Sequence, residues 1–371
     1  MSQSYRARLL WVTNLAAPYR LPVWERLAQE CNLRVGLLEH SSRLIRDTGA
    51  NRGADWAAVP SVNYSTTEYS SARVARGEDR HYFLKSLAAV RDLAGADAVL
   101  LGGWDSPAYW QLLAQAKIMH KATIGFYEST LASQGRSSGP LANARSHFFR
   151  SLDRIVVPGP AAGEAIEAMG VDPSRILTGF NAVDVQSFAD ARRDESHSGH
   201  RFLYVGQLIA RKNVDLVLEA FAAVATPEDT LTLVGRGEMR GQLELRAETL
   251  GVADRVHFIG YLPYADLPAE IARHDTLVLA SQVEVWGLVV NEALAVGLQA
   301  VVTENCGVAR SVRGMPGVYV GEAAELEALM RRAKMEHQGP VDSPPILQNT
   351  PEAFGDVFLE ALEQVTKAHV D

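Results

Sequence analysis

At 371 residues the chain is longer than one hydrophobic core commonly serves, so two domains of about 150 to 200 residues each are expected. Its 47% hydrophobic and 22% charged content excludes a disordered or fibrous protein. A formal net charge of −8 argues against a general nucleic-acid binder, which gains affinity by neutralising phosphates with Lys and Arg. The two cysteines, Cys31 and Cys306, lie in different halves without metal-type spacing. They read as buried small side chains in a reducing compartment, and a cytoplasmic location is the expectation.

The first apolar run, LLWV, is too short for a signal segment and leads into a polar turn, so it reads as a first strand. No window approaches about 18 uninterrupted apolar residues, which leaves only peripheral membrane contact, at most at the inner face of the cell membrane. Strand ARLLWVTN, helix PVWERLAQEC and strand LRVGLLEH follow one another. The rhythm returns in ADAVLLGG, PAYWQLLAQAKIMH and KATIGFYES, and DRIVVPG closes the run of N-terminal strands. Short apolar runs alternating with amphipathic stretches are the signature of βαβ units and a buried parallel sheet. Between Ser41 and Arg80 the periodicity weakens, which predicts loops and β-edges over one face.

Near residue 190 the charged segment ADARRDESHSGHR breaks the pattern, and the expected domain limits are therefore 1–190 and 191–350. The second domain repeats the grammar with five strands, RFLYVG, TLTLVG, RVHFIGY, DTLVLAS and QAVVTEN, joined by crossover helices. A Pro-rich segment after Met335 precedes a final amphipathic helix over 351–371, expected to pack back on the N-terminal domain.

Four segments carry candidate chemistry. In ASQVEVWGLVVNEALAVG, Glu284 and Glu292 flank a Gly-containing turn that opens a helix. The amides of Trp286, Gly287, Leu288 and Val289 would be the unpaired N–H groups of its N-terminus, a natural anion site suited to a pyrophosphate. Carboxylates beside it can accept hydrogen bonds from sugar hydroxyls; the same pattern also fits a loop Glu and a surface Glu around a packed Trp. In VGQLIARKNVDLVLEAF, Lys212 stands at a strand-to-helix turn, where ligands of doubly wound sheets bind. Gly235 and Gly237 in LVGRGEMR allow close backbone approach at the next strand end, although turns explain them equally well. In FNAVDVQSFAD, Asn181 and Asp184 suit a tight turn at the crossing between domains.

Together these segments resemble the retaining family 4 glycosyltransferases (glycosyltransferase group 1) of the GT-B fold. The matching pieces are NAVDVQSF, VGQLIARKN, LVGRGEMR, VHFIGYLP and EVWGLVVNEALAVG, in that order, closely over about residues 150–320 and in outline elsewhere. The resemblance implies an α/β protein of two Rossmann-like domains, with parallel sheets facing a central cleft. It implies a hexosyltransferase-type enzyme that moves sugar from a UDP- or GDP-sugar to a carbohydrate, lipid-linked or small-molecule hydroxyl, without metal or other cofactor. Glu284 would contact the donor sugar, Glu292 the ribose, Gly287 to Val289 and Lys212 the diphosphate, and Tyr261 and Leu262 the nucleobase. Polysaccharide, glycolipid or natural-product glycoside synthesis would be its setting. A nucleotide-sugar-binding scaffold or an epimerase-like hydrolase is the alternative reading.

Three departures stand out. Gln207 occupies the place of the arginine that usually joins the lysine at the phosphates, with Arg211 or Arg20 as substitutes. The loop TNLAAPYRLP lacks the Gly-rich turn, leaving Arg20 as a phosphate or acceptor candidate or a plain helix-start residue. The family histidine has no counterpart in TIGFYESTL, where Glu128 or Tyr127 would stand, Glu128 as a base, as an orienting group for the acceptor hydroxyl or as a strand cap. Trp104 and Asp105 in LGGWDSPAYW are acceptor-pocket candidates, with core packing as the alternative for Trp104. PLANARSHFFRSLDR places Arg145, Arg150 and Arg154 with Phe148 and Phe149 on one helix, which reads either as a basic surface over core phenylalanines or as a contact with an anionic membrane.

Overall fold

The computed structural model describes residues 6–40, 63–76, 79–135, 137–191 and 198–368. The chain divides into two compact units, Met1–Phe180 with Pro351–Asp371, and Asn181–Thr350. In the first unit seven strands pair in parallel: β1 (Arg8–Thr13), β2 (Asn32–Leu37), β3 (Ser65–Glu68), β6 (Ala98–Leu101), β7 (Ala122–Phe126), β8 (Arg154–Val157) and β9 (Ile176–Thr178). Their order is β3-β2-β1-β6-β7-β8-β9, so the chain reverses its direction of growth between β1 and β6. β4 (Ser71–Arg76) and β5 (Asp79–Leu84) form a separate antiparallel hairpin.

Strands β6 (AVLL) and β7 (ATIGF) are buried at every position, with Thr123 their one polar residue, as in a sheet covered on both faces with no solvent side for polar alternation. Pro107, Pro140 and Pro160 each begin a helix, at Pro107–Ile118, Pro140–Arg150 and Pro160–Glu167. Proline's fixed φ suits the first turn, where its missing N–H would have no partner anyway. The final helix, Pro351–Lys367, belongs to this unit. Phe358 lies 4.7 Å from Trp11 and 5.4 Å from Phe126 between ring centroids, and Asp356 accepts from Arg26 at 2.8 Å.

The second unit holds β10 (Arg201–Val205), β11 (Thr230–Val234), β12 (Val256–Gly260), β13 (Thr276–Leu279), β14 (Gln299–Thr303) and β15 (Val318–Gly321). All pair in parallel, in the order β12-β11-β10-β13-β14-β15, with the reversal between β10 and β13. Crossover helices include Val214–Val224, Arg240–Thr249 and Leu288–Val296, while Leu326–Met335 follows the last strand. Among the described residues no helix is long and apolar enough to cross a membrane.

Several sequence expectations need correction. β9 follows DRIVVPG, so that segment does not close the first sheet, and β15 makes six strands in the second rather than five. Both missed strands are short edge strands with partly exposed faces, which weakens the apolar signal. The division falls after Phe180 rather than at residue 190. Val183, Val185 and Phe188 explain this: they are buried, and the short helix Val185–Ala189 packs on Leu288–Val296, so these residues cannot leave the second unit. Asp184 caps that helix, accepting from the Ser187 amide at 3.3 Å. Of the stretch 41–80, residues 41–62 and 77–78 lie outside the described residues, and the described ones supply edge strand β3, β4 and the start of β5.

Candidate functional site

In a parallel sheet, all loops that leave the strands at their C-terminal ends emerge on one edge, and a crevice opens where the winding reverses. In the second unit that point lies between β10 and β13. The loop after β10 carries Lys212 and the loop after β13 carries Glu284. Their side chains form an ion pair with only 12% and 13% of each exposed. Ser281 also donates to the Glu284 carboxylate, at 3.4 Å. Two segments 72 residues apart are thus joined at the switch point.

The backbone around the pair is fixed on both sides. Gln282 N–H donates to the Arg211 carbonyl at 2.8 Å, tying the two loops together. Gly307 N–H donates to the Glu284 carbonyl and Val308 N–H to the Trp286 carbonyl, each at 3.0 Å. Gly287 then turns into helix Leu288–Val296 with φ of 102°, a left-handed conformation that glycine adopts without Cβ strain. A Cβ there would also meet Leu279 Cδ2 at 2.7 Å. No acidic side chain occupies the first turn of this helix, and the nearest carboxylate is that of Glu284, whose Cγ lies 3.6 Å from where a Cβ on the cap residue Gly287 would stand.

The helix begins one residue later than the expected set of amides allows. Trp286 precedes the cap, and its ring is buried rather than facing an anion. Its indole N–H donates to Asn291 Oδ1 at 3.2 Å, and Asn291 Nδ2 donates to the Asn181 carbonyl at 2.7 Å. This chain anchors the Glu284–Gly287 loop to the segment that enters the unit. Asn291 and this role for Trp286 were not legible in sequence, because a polar residue on a buried helix face gives no periodic signal. Leu288 and Val289 are in the first turn, as expected.

Glu292, in the same helix, is 5% exposed. Burial pushes its carboxyl up to about 7, while a hydrogen bond from the Tyr264 hydroxyl pulls in the other direction. Tyr264 follows Tyr261 and Leu262 on the loop after β12, and its ring sits 5.7 Å from Phe188. The loop residues are Tyr261, exposed with the Arg236 guanidinium 5.5 Å over its ring, and the half-buried Leu262.

Gly235 and Gly237 have a packing reason. A Cβ on Gly235, whose φ is 146°, would fall 1.8 Å from the Gly206 carbonyl oxygen, and one on Gly237 2.0 Å from that of Leu208. Their clearance is taken by the loop after β10. Gln207 lies in that loop, its carbonyl accepting from the Tyr204 hydroxyl at 2.8 Å. The exposed Arg211 donates to the Val283 carbonyl at 3.3 Å.

In the first unit the corresponding point lies between β1 and β6. Arg20, after β1, and Glu128, after β7, pair at 3.1 Å. The Arg20 side chain is only 8% exposed, with its guanidinium 4.5 Å over Phe126 and 5.3 Å over Tyr19; Nη1 has no hydrogen-bond partner. Trp104 is half-buried under the Arg145 guanidinium at 5.5 Å, and its carbonyl accepts from Trp110 at 2.9 Å. Asp105 is exposed, and its carbonyl meets the His81 ring at 3.0 Å. Tyr127 is buried against Phe149, at 4.8 Å. Sequence reading missed Glu39, a buried acid at the end of β2 that accepts from Tyr82 at 2.8 Å and Arg73 at 3.2 Å. Its place in LLEH, directly after an apolar strand, was the available signal.

The basic helix does not fit a membrane face. Phe148 and Phe149 are fully buried, Arg145 is buried and bonded to Gln134, and Arg154 lies on β8, donating to Gln364 at 2.7 Å. Cys31 and Cys306 are both buried thiols, pushed up by desolvation to about 12 and about 11.

Two parallel sheets that each reverse their winding at one point, the second with the Lys212–Glu284 pair at that point beside the N-terminus of Leu288–Val296, define a doubly wound α/β class. Residues 187–333 match the family model described as glycosyl transferases group 1, and the second unit is therefore a group 1 glycosyltransferase domain. The whole chain has the GT-B fold: Anabaena Alr3699/HepE in complex with UDP superposes with a TM-score of 0.66 at 14% identity, covering 98% of this chain and 97% of that one. Mannosylfructose-phosphate synthase of Agrobacterium fabrum is 35% identical over 184 residues, 44% of this chain and 40% of that protein. Glycogen synthase of Mycobacterium tuberculosis is 28% identical over 248 residues, 58% of this chain and 60% of that protein. The chain thus spans about half the length of the curated relatives it matches.

Proposed function

We propose that the protein is a retaining glycosyltransferase that moves a hexosyl group from a UDP- or GDP-sugar to a hydroxyl acceptor. The observation that carries this reading is the Lys212–Glu284 pair at the switch point, beside the N-terminus of Leu288–Val296, inside the segment that matches the family. On donor binding the diphosphate takes the Lys212 ammonium and the amides of the first helical turn. Glu284, released from Lys212, accepts hydrogen bonds from donor sugar hydroxyls, and Glu292 accepts from the ribose. The C1–O bond to the diphosphate then breaks. The acceptor oxygen attacks C1 from the same face, and its proton passes to the departing phosphate oxygen. Lys212 and the helix end hold the negative charge as it develops, which is where preorganised groups lower a barrier most.

Gln207 supplies no cation, so Lys212 and the helix N-terminus carry most of that charge. In the first unit, Glu128 held by Arg20, with Trp104 and Asp105, forms the acceptor-side set in this reading. The test is a panel of UDP- and GDP-sugars followed by thermal shift and by release of nucleoside diphosphate. Donor-dependent stabilisation with turnover to an acceptor, and an unchanged anomeric configuration in the product, is the expected result. Stabilisation without nucleotide release identifies a binding scaffold, and a flat thermal profile across the panel removes the donor site.

A further inference from the structure

A second cluster lies at the opposite, N-terminal edge of the second sheet. His200 immediately precedes β10, Asp275 immediately precedes β13, and His337 follows helix Leu326–Met335. Each offers a ligand atom within 4.8 Å of the other two. His337 Nε2 is 3.6 Å from Asp275 Oδ1, and the two imidazole rings meet edge to face at 5.0 Å. His200 and Asp275 are buried, whereas the His337 side chain keeps 21% of its surface exposed.

Hydrogen bonds around the cluster orient its side chains. Thr276 donates its hydroxyl proton to Gln299 Oε1 at 3.0 Å, so its oxygen accepts from His200 Nε2 at 2.8 Å. The relay continues from Gln299 to the Tyr319 hydroxyl at 3.2 Å and on to the Glu336 carboxylate at 3.0 Å. With the proton on Nε2, the lone pair of the His200 ring is on Nδ1. Asp275 Oδ2 accepts the Arg201 amide at 2.8 Å, and Oδ1 is the oxygen nearest His337 Nε2. Metal-binding histidines typically donate their second ring N–H in this manner, and ligating carboxylates are typically anchored through their other oxygen. The nearby Lys334 ammonium is already matched by the buried Asp229 carboxylate.

We propose that His200, Asp275 and His337 bind a divalent transition metal of the zinc class, with solvent as the fourth ligand, as a structural clip independent of the donor site. Two imidazoles and one carboxylate suit such an ion, and the two buried ligands are held in place before it arrives. The present spacing is wider than a coordination sphere with bonds of about 2.0–2.2 Å. His337 is the arm that closes it, since it lies past a helix end and reaches solvent. Closure pins the segment after Leu326–Met335 to the starts of β10 and β13.

The experiment uses the full chain stripped with chelator and then titrated with ZnCl2 or CoCl2. Saturating Zn2+ is expected to raise the melting temperature by about 4 °C or more, since an ion bound only by the folded state stabilises by mass action. Co2+ is expected to give visible d–d bands of a nitrogen–oxygen site in the folded protein at room temperature. His337→Ala is expected to abolish both responses, whereas His257→Ala, at an exposed position on β12, is expected to keep them. Absence of both responses in the wild type overturns the proposal, as does their survival in His337→Ala. The cobalt spectrum is read far below the melting transition, so a less stable variant still answers the question.

Discussion

Each unit sets a cation against a carboxylate at the C-terminal edge of its sheet, yet the two pairs are built differently. Lys212 and Glu284 come from loops of strands that are direct neighbours across the switch point, next to a helix end with no acidic cap. Arg20 and Glu128 come from strands separated by β6, and Arg20 is clasped by Phe126 and Tyr19. A lysine ammonium on a flexible stem can exchange its carboxylate for a phosphate. A guanidinium stacked on rings has lost that freedom and orients its partner instead. Burial does not separate the pairs, whose side chains are 12% and 13% exposed in one and 8% and 32% in the other; the aromatic clasp on Arg20 and the helix end beside Lys212 do.

The sharpest way to break this comparison is Lys212→Ala. It is expected to lower kcat for nucleoside diphosphate release by about 10² to 10³, and also to lower the melting temperature, because the mostly buried Glu284 carboxylate loses its counter-charge. An unchanged kcat would remove Lys212 from the leaving group. Glu292→Gln comes next. Its folded carboxyl is raised by burial to about 7, above the ordinary 4.5, so the unfolded chain ionises first. Stability is therefore lost as pH rises from about 4.5 toward 7, by up to about 3 kcal/mol. The Gln variant is expected to be more stable than the wild type at pH 8 and nearly equal near pH 5, measured by urea unfolding, while its donor KM rises.

For the first unit, Arg20→Ala is expected to cost about 2 kcal/mol of stability through lost packing on the aromatic rings. Calorimetry checks this, and a variant as stable as wild type would show the clasp to be dispensable. The smallest effect belongs to Tyr264→Phe. Its hydroxyl draws the Glu292 carboxyl down, so removing it is expected to push the carboxyl higher. The acid limb of the kcat/KM profile for donor then moves to higher pH, and an unmoved limb would separate Tyr264 from Glu292.

Much of this was readable along the chain. Runs such as RFLYVG and TLTLVG, buried on both faces, marked parallel strands because such strands need no polar alternation. Gly287 between Glu284 and Glu292 marked a turn into a helix, since the left-handed conformation there is cheap only for glycine. Edge strands β9 and β15 escaped because a half-exposed strand of three or four residues carries too little apolar signal.

The sequence by itself determined the two-fold repetition of βαβ grammar, the glycine-opened helix and the residue types available to hold a diphosphate, all of which rest on local periodicity and backbone preference. Only the tertiary structure decided partnership. It joined Lys212 to Glu284 and Arg20 to Glu128, buried Trp286 against Asn291, drew residues 181–190 into the second unit, and gathered His200, Asp275 and His337 at one sheet edge. The physical reason is that these contacts link positions far apart in the chain, and a parallel sheet fixes such neighbours through strand order and register, which local pattern does not encode.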